Sequence, residues 1–131
     1  MKIIMLILSA MIFASCGGGT SDYAEKLPGG YQFISESKDQ SFIYGKNKQY
    51  IPCSVVSYTF NNDFILVYQQ PSEPCIHTEA TGIKITNIDV IQFWIIDVQQ
   101  ESLMGPFTLS EFLNQRKKMG VPNELELKIK I

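Results

Sequence analysis

Ile91-Gln92-Phe93-Trp94-Ile95-Ile96-Asp97 is too continuously apolar to leave one face in water, so it reads as a central strand of a sheet. Its surroundings extend that constraint in both directions. Val98 to Ser102 turns the chain into Leu103-Met104-Gly105-Pro106-Phe107, where Pro106 has no N–H to give a ladder and makes the segment a short strand or an edge. Thr108-Leu109-Ser110-Glu111 is a capping box that starts a helix. Leu109, Phe112, Leu113 and Met119 fall on one stripe of that helix, and Arg116, Lys117 and Lys118 suit the negative end of its dipole. Gly120 and Pro122 stop it. The strict alternation from Glu124 to Ile131 predicts a final strand with one charged face.

Upstream, Val56, Tyr58 and Phe60 alternate with Val55, Ser57 and Thr59, and Asn61-Asn62-Asp63 turns the chain into Phe64, Leu66 and Tyr68. Centring the hairpin on Asn62 sets Phe60 opposite Phe64, Tyr58 opposite Leu66 and Val56 opposite Tyr68, all on one face. An earlier hairpin is expected from Tyr31–Ile34 and Ser41–Tyr44, launched by Leu27-Pro28-Gly29-Gly30 and broken by Gly45-Lys46-Asn47-Lys48. The expected fold is α+β: a single small antiparallel sheet, a meander of about five to seven strands, with one C-terminal amphipathic helix and a final strand. At 131 residues, one domain is the prior. With 8 Phe, 6 Tyr and 1 Trp in a chain of net charge −2, a disordered tail is excluded. Eleven Lys and Arg against 13 Asp and Glu argue against a nucleic-acid partner.

The N-terminus reads as an address. Met1-Lys2 is followed by the apolar run Ile3 to Ala14, interrupted only by Ser9, which is short for a membrane span and suited to a signal peptide. Phe13-Ala14-Ser15-Cys16 looks like a bacterial lipobox, although Phe13 stands where Leu is commoner. The competing readings are an ordinary signal peptide or a buried N-terminal strand. On the lipoprotein reading, residues 1–15 are the signal peptide, 16–26 the lipidated Cys16 and a flexible tether, and 27–131 a single globular domain. Cleavage before Cys16 leaves 116 residues and a net charge of −3. Two or three acyl chains such as palmitate would hold the protein on a bilayer, because each buried methylene contributes about 0.8 kcal/mol. Cys53 and Cys75 then remain as an even pair for an oxidising compartment, either as a disulfide or as two buried thiols. A bridge would close about 22 residues of chain and contribute about 3 kcal/mol on the loop-entropy argument.

Leu27-Pro28-Gly29-Gly30-Tyr31 shortly after a lipidated Cys, then Phe93-Trp94-Ile95-Ile96-Asp97, Gly105-Pro106-Phe107-Thr108, Glu111-Phe112 and Arg116 to Gly120, form a recognisable series. Together they resemble a group of small bacterial lipoproteins known as a domain of unknown function. The resemblance implies an envelope lipoprotein with a small antiparallel sheet and one helix, and it carries no catalytic residue.

Candidate chemistry is sparse. His77 is the only histidine, and Cys75-Ile76-His77 with Cys53 supplies three metal ligands where a structural zinc site needs four, so neither a metal nor a cofactor is expected. His77 as a base with Ser72 and Glu73 or Glu79 would make an unusual hydrolase, although nearness in one loop is weak support. Asp97 and Glu101 read as a strand end and a turn, and Arg116 as the partner of a buried carboxylate. Tyr31, Trp94 and His77 are the candidate binding surface, where rings that reach solvent would stack on a partner; aromatics in alternating strands are more often core or sheet-face residues. The expected function is non-catalytic: a binding or interaction module fixed to the bilayer through acylated Cys16, with an envelope protein or glycan as its partner. The alternatives are an immunity- or inhibitor-like lipoprotein acting on an envelope toxin or hydrolase, and the hydrolase built on His77. The expected place is the cell envelope, on the outer membrane for a Gram-negative host, since Gly17 stands where a retention signal would carry Asp.

Overall fold

The computed structural model describes residues 23–37, 40–71 and 91–129. Cys16, Cys75 and His77, and the expectations placed on them, lie outside these residues.

Eight strands occur among the described residues: β1 Tyr23–Lys26, β2 Gln32–Ser37, β3 Gln40–Tyr44, β4 Tyr50–Ile51, β5 Val55–Phe60, β6 Phe64–Gln69, β7 Gln92–Asp97 and β8 Ser102–Phe107. They build two antiparallel sheets, ordered β1-β2-β3-β4 and β5-β6-β7-β8, followed by helix α1, Leu109–Lys118. The expected single sheet is therefore two, and the strand count is higher. β1 also falls inside the segment read as tether and pairs with β2 through Tyr23↔Ser35 and Glu25↔Phe33.

The physical reason for two sheets lies in β6 and β7. Ile65, Leu66, Val67 and Tyr68, like Phe93 to Ile96, are all buried, so both faces of these strands need cover. One face packs on the first sheet: Ile65, Val67, Trp94 and Ile96 join Ile43, Ile51, Tyr31 and Leu27 in one core cluster. The other face packs on α1 and the chain beyond it: Leu66, Tyr68, Phe93 and Ile95 meet Phe112, Val121 and Leu125. The layers run sheet, sheet, helix. The first two are stitched at one corner by Ser41, whose hydroxyl donates to the Val55 carbonyl at 2.8 Å and lies 3.0 Å from that of Ser54.

The β5–β6 hairpin differs from expectation by one residue. It starts in the predicted register, with Val55↔Gln69, then a bulge between Val55 and Ser57 shifts the rest to Tyr58↔Val67 and Phe60↔Ile65. The turn supplies the cause. Asn61 Oδ1 accepts from the amides of Asp63 and Phe64 at 2.8 and 2.7 Å, and the Asn61 amide donates to the Phe64 carbonyl. Asn61 thus closes a tighter loop than one centred on Asn62. Tyr58 consequently packs with the inter-sheet cluster, while Phe64, Leu66 and Tyr68 face the helix.

At the C-terminus, α1 starts at the expected box: Thr108 Oγ1 accepts from the Glu111 amide, and Glu111 accepts from that of Thr108. Its buried contact is narrower than the predicted stripe, since Phe112 is buried while Leu109 and Leu113 are exposed. Arg116 serves backbone instead of a carboxylate, donating to the carbonyls of Pro122 and Leu125 at 2.9 Å each. The expected final strand is absent among the described residues. Leu125, Leu127 and Ile129 still alternate inward, packing on the second cluster instead of pairing in a ladder.

Candidate functional site

The predicted surface aromatics prove to be core. Trp94 is 1% exposed, and its indole N–H donates to Gln69 Oε1; the Gln69 amide then donates to the Pro52 carbonyl at 2.7 Å. Tyr31 is 2% exposed, with its hydroxyl on Gln49. Trp94 is sunk by its place in a strand covered on both faces. Tyr31 is drawn in by the Leu27–Gly30 turn, closed by a Leu27 N–H to Tyr31 carbonyl bond of 2.8 Å. Gly45 makes room for the ring, since a Cβ there would come within 2.6 Å of it. Asp97 holds a turn by accepting from the Gln100 amide, and Glu101 pairs at 4.0 Å with Lys46. Cys53 is wholly buried beside the Ser54–Gln70 pair that opens the hairpin.

The aromatic surface that does reach solvent is assembled from both sheets. Tyr23 of β1, Phe33 of β2, and Tyr58 and Phe60 of β5 form a row with ring centroids 6.1, 4.6 and 6.4 Å apart. Tyr23 and Phe60, its two ends, are 53% and 40% exposed. The Tyr23 hydroxyl donates to Glu25 at 2.7 Å, so that carboxylate beside the row is already engaged. Burial first, and then the charge of Glu25, push the Tyr58 hydroxyl well above the usual tyrosine range. The hydrogen bond to Glu25 raises that of Tyr23. Both phenols are therefore neutral at physiological pH, and each offers an apolar ring together with a polar tip. Tyr23 also borders a hollow of about 550 Å³ completed by Ala24, Ile34, Ser35 and Glu36.

A second group, Phe42, Tyr44 and Tyr50, lies on the outer face of the first sheet with centroids 4.9 to 5.8 Å apart. Tyr50 is pushed up to about 12, by burial and then by Tyr44 and Glu36. Among the described residues, no three His, Cys, Asp or Glu side chains are grouped to hold a metal ion.

Sequence reading missed the first row because its members come from three strands in two sheets. The Tyr58/Phe60 alternation was the one legible part. No curated protein and no solved structure matches the chain. A family profile described as "Protein of unknown function (DUF3997)" matches residues 28–131, a span that contains every described element from β2 to α1. The chain belongs to that family.

Proposed function

We propose that this protein is a lipid-anchored module of the bacterial envelope, fixed through acylated Cys16, that binds an envelope protein without catalysing a reaction. The observation that supports the binding role is the row Tyr23–Phe33–Tyr58–Phe60. Exposed aromatics at both ends of a row braced by two sheets offer a rigid apolar contact at low entropic cost. β1 beside it stands at the edge of its sheet among the described residues, where an extended segment of a partner can align.

The signal peptide 1–15, the Cys16 anchor and a Cys53–Cys75 bridge belong to the same proposal. They are tested by the intact mass of the protein from its own membranes, before and after reduction and alkylation. A mass beginning at Cys16 plus acyl chains, with two alkyl groups gained only after reduction, is expected. A mass beginning at Met1 refutes the anchor, and two thiols alkylated without reduction refute the bridge.

Binding is tested by crosslinking in intact envelopes with Tyr23→Ser/Phe60→Ser against the parent. Loss of a discrete stoichiometric crosslink with the protein still present at normal level is expected. An unchanged crosslink pattern refutes the row as the contact, and capture of a glycan in place of a protein refutes the class of partner. His77→Ala is expected to leave the crosslink intact.

A further inference from the structure

Among the described residues, one flank of helix α1 is left uncovered. Phe112, 1% exposed, turns to the second core cluster with Met119. Leu109, Leu113 and Lys117 follow one another at four-residue spacing, about 40° apart around the axis, and so form one stripe. The two leucines are 41% and 50% exposed. Lys117 and Lys118 are exposed as well, and neither is in an ion pair among the described residues. Beside Leu113 opens a hollow of about 430 Å³ lined by Leu113, Arg116, Lys117, Val121 and Asn123. Arg116 is held at this hollow by the carbonyls of Pro122 and Leu125, which engage one of its nitrogens; a guanidinium carries five N–H donors.

We infer that this flank of α1 rests on an anionic bilayer surface, with Leu109 and Leu113 at the headgroup boundary and lipid phosphates in the hollow between Arg116 and Lys117. Charge complementarity selects this occupant. Arg116, Lys117 and Lys118 place three of the chain's 11 basic residues in one helical turn of a protein whose net charge is −2. Exposed leucines beside exposed cations are the chemistry of a helix lying in the membrane interface.

Two leucines and a few cations bind too weakly to hold a free protein, so the contact orients a chain already tethered and rests on the proposed anchor. Along the layer normal the reach of the tether matches the thickness to be crossed. With α1 and the first sheet in outer layers, each layer about 10 Å from the next, β1 stands roughly 20 Å from the helix layer. The seven residues from Cys16 to Tyr23 extend to at most about 25 Å.

The test uses the full chain purified from its own membranes, carrying Leu113→Trp as a reporter. It is reconstituted into vesicles of phosphatidylcholine alone or mixed with phosphatidylglycerol, each with a shallow spin-labelled quencher lipid. The parent protein, whose Trp94 is buried, sets the baseline. Quenching of the reporter is expected in anionic vesicles and baseline emission in neutral ones. Adding Lys117→Gln/Lys118→Gln should lower the docked-to-undocked ratio about 25-fold, since each Lys near an anionic surface contributes a factor of about five. High salt should act in the same direction. Equal quenching in both vesicles, or baseline in both, overturns the inference. Flotation reads the anchor separately: failure to float with neutral vesicles refutes the tether. A protein that floats with both vesicles yet keeps baseline emission in both overturns the docking flank while the tether stands.

Discussion

Gln69 is the buried polar hinge of the core, and its removal is the sharpest test of the packing described here. It is 0% exposed, accepts from Trp94 Nε1 and donates to the Pro52 carbonyl at 2.7 Å. Gln69→Leu keeps the volume and strands both partners in a dry interior. Each buried group left without a hydrogen bond costs about 1–3 kcal/mol, so the loss should be about 2–6 kcal/mol. That is a large share of the 5–15 kcal/mol typical of a domain. In urea, with slopes of about 1–3 kcal/mol/M, a loss of 3 kcal/mol lowers the midpoint by about 1–3 M. The double mutant Gln69→Leu/Trp94→Phe removes the orphaned donor and should be less destabilised than the sum of the single changes by about 1–2 kcal/mol. A single-mutant loss below about 0.5 kcal/mol, or strict additivity in the cycle, would refute the claim that the Trp94–Gln69–Pro52 chain organises the core.

Four further outcomes are expected. Gly105 has φ +134°, and a Cβ there would stand 2.9 Å from both the Phe93 carbonyl and the Trp94 ring. Gly105→Ala should cost about 2–3 kcal/mol, which a thermal scan would read as a fall of roughly 10–20 °C. Thr108→Ala should cost about 1 kcal/mol in urea unfolding through loss of the helix cap. Glu111 is held below the usual carboxylate range by its bonds to Thr108. Its contribution is therefore present above the unfolded value near 4.3 and lost as pH falls through the lower folded one, a dependence that Glu111→Gln should remove from the acid unfolding profile. At the alkaline end, Tyr50, pushed up to about 12, and Tyr58, raised further, stay neutral in the fold after the unfolded chain ionises near 10. Stability should fall between about pH 10 and 12, and Tyr50→Phe should flatten that fall in denaturant melts.

What could be read in advance was local or strongly periodic. The capping box, the Gly120 stop, the first hairpin, the central place of β7 and the edge place of β8 each depend on a few neighbouring residues. The helix stripe was misjudged because periodicity places a side chain on a side of the helix without saying whether anything lies opposite. Phe112 met sheet, whereas Leu109 and Leu113 met solvent. Phe64 to Tyr68 is as continuously apolar as Phe93 to Ile96, and reading it as one-sided hid the need for a second sheet.

The amino-acid sequence by itself determined the capped helix, the turns and the central strands, because caps, turns and alternation act through contacts within a few residues; β1, inside the segment read as tether, and the alternation after Glu124, which forms no ladder among the described residues, were not determined that way. Tertiary structure alone decided how the strands divide into two sheets, which aromatics face water and where the hairpin bulges. These depend on cover from chain that is distant in sequence. Trp94 and Tyr31 disappear between two sheets, and Tyr23, Phe33, Tyr58 and Phe60 become one surface only when those sheets meet.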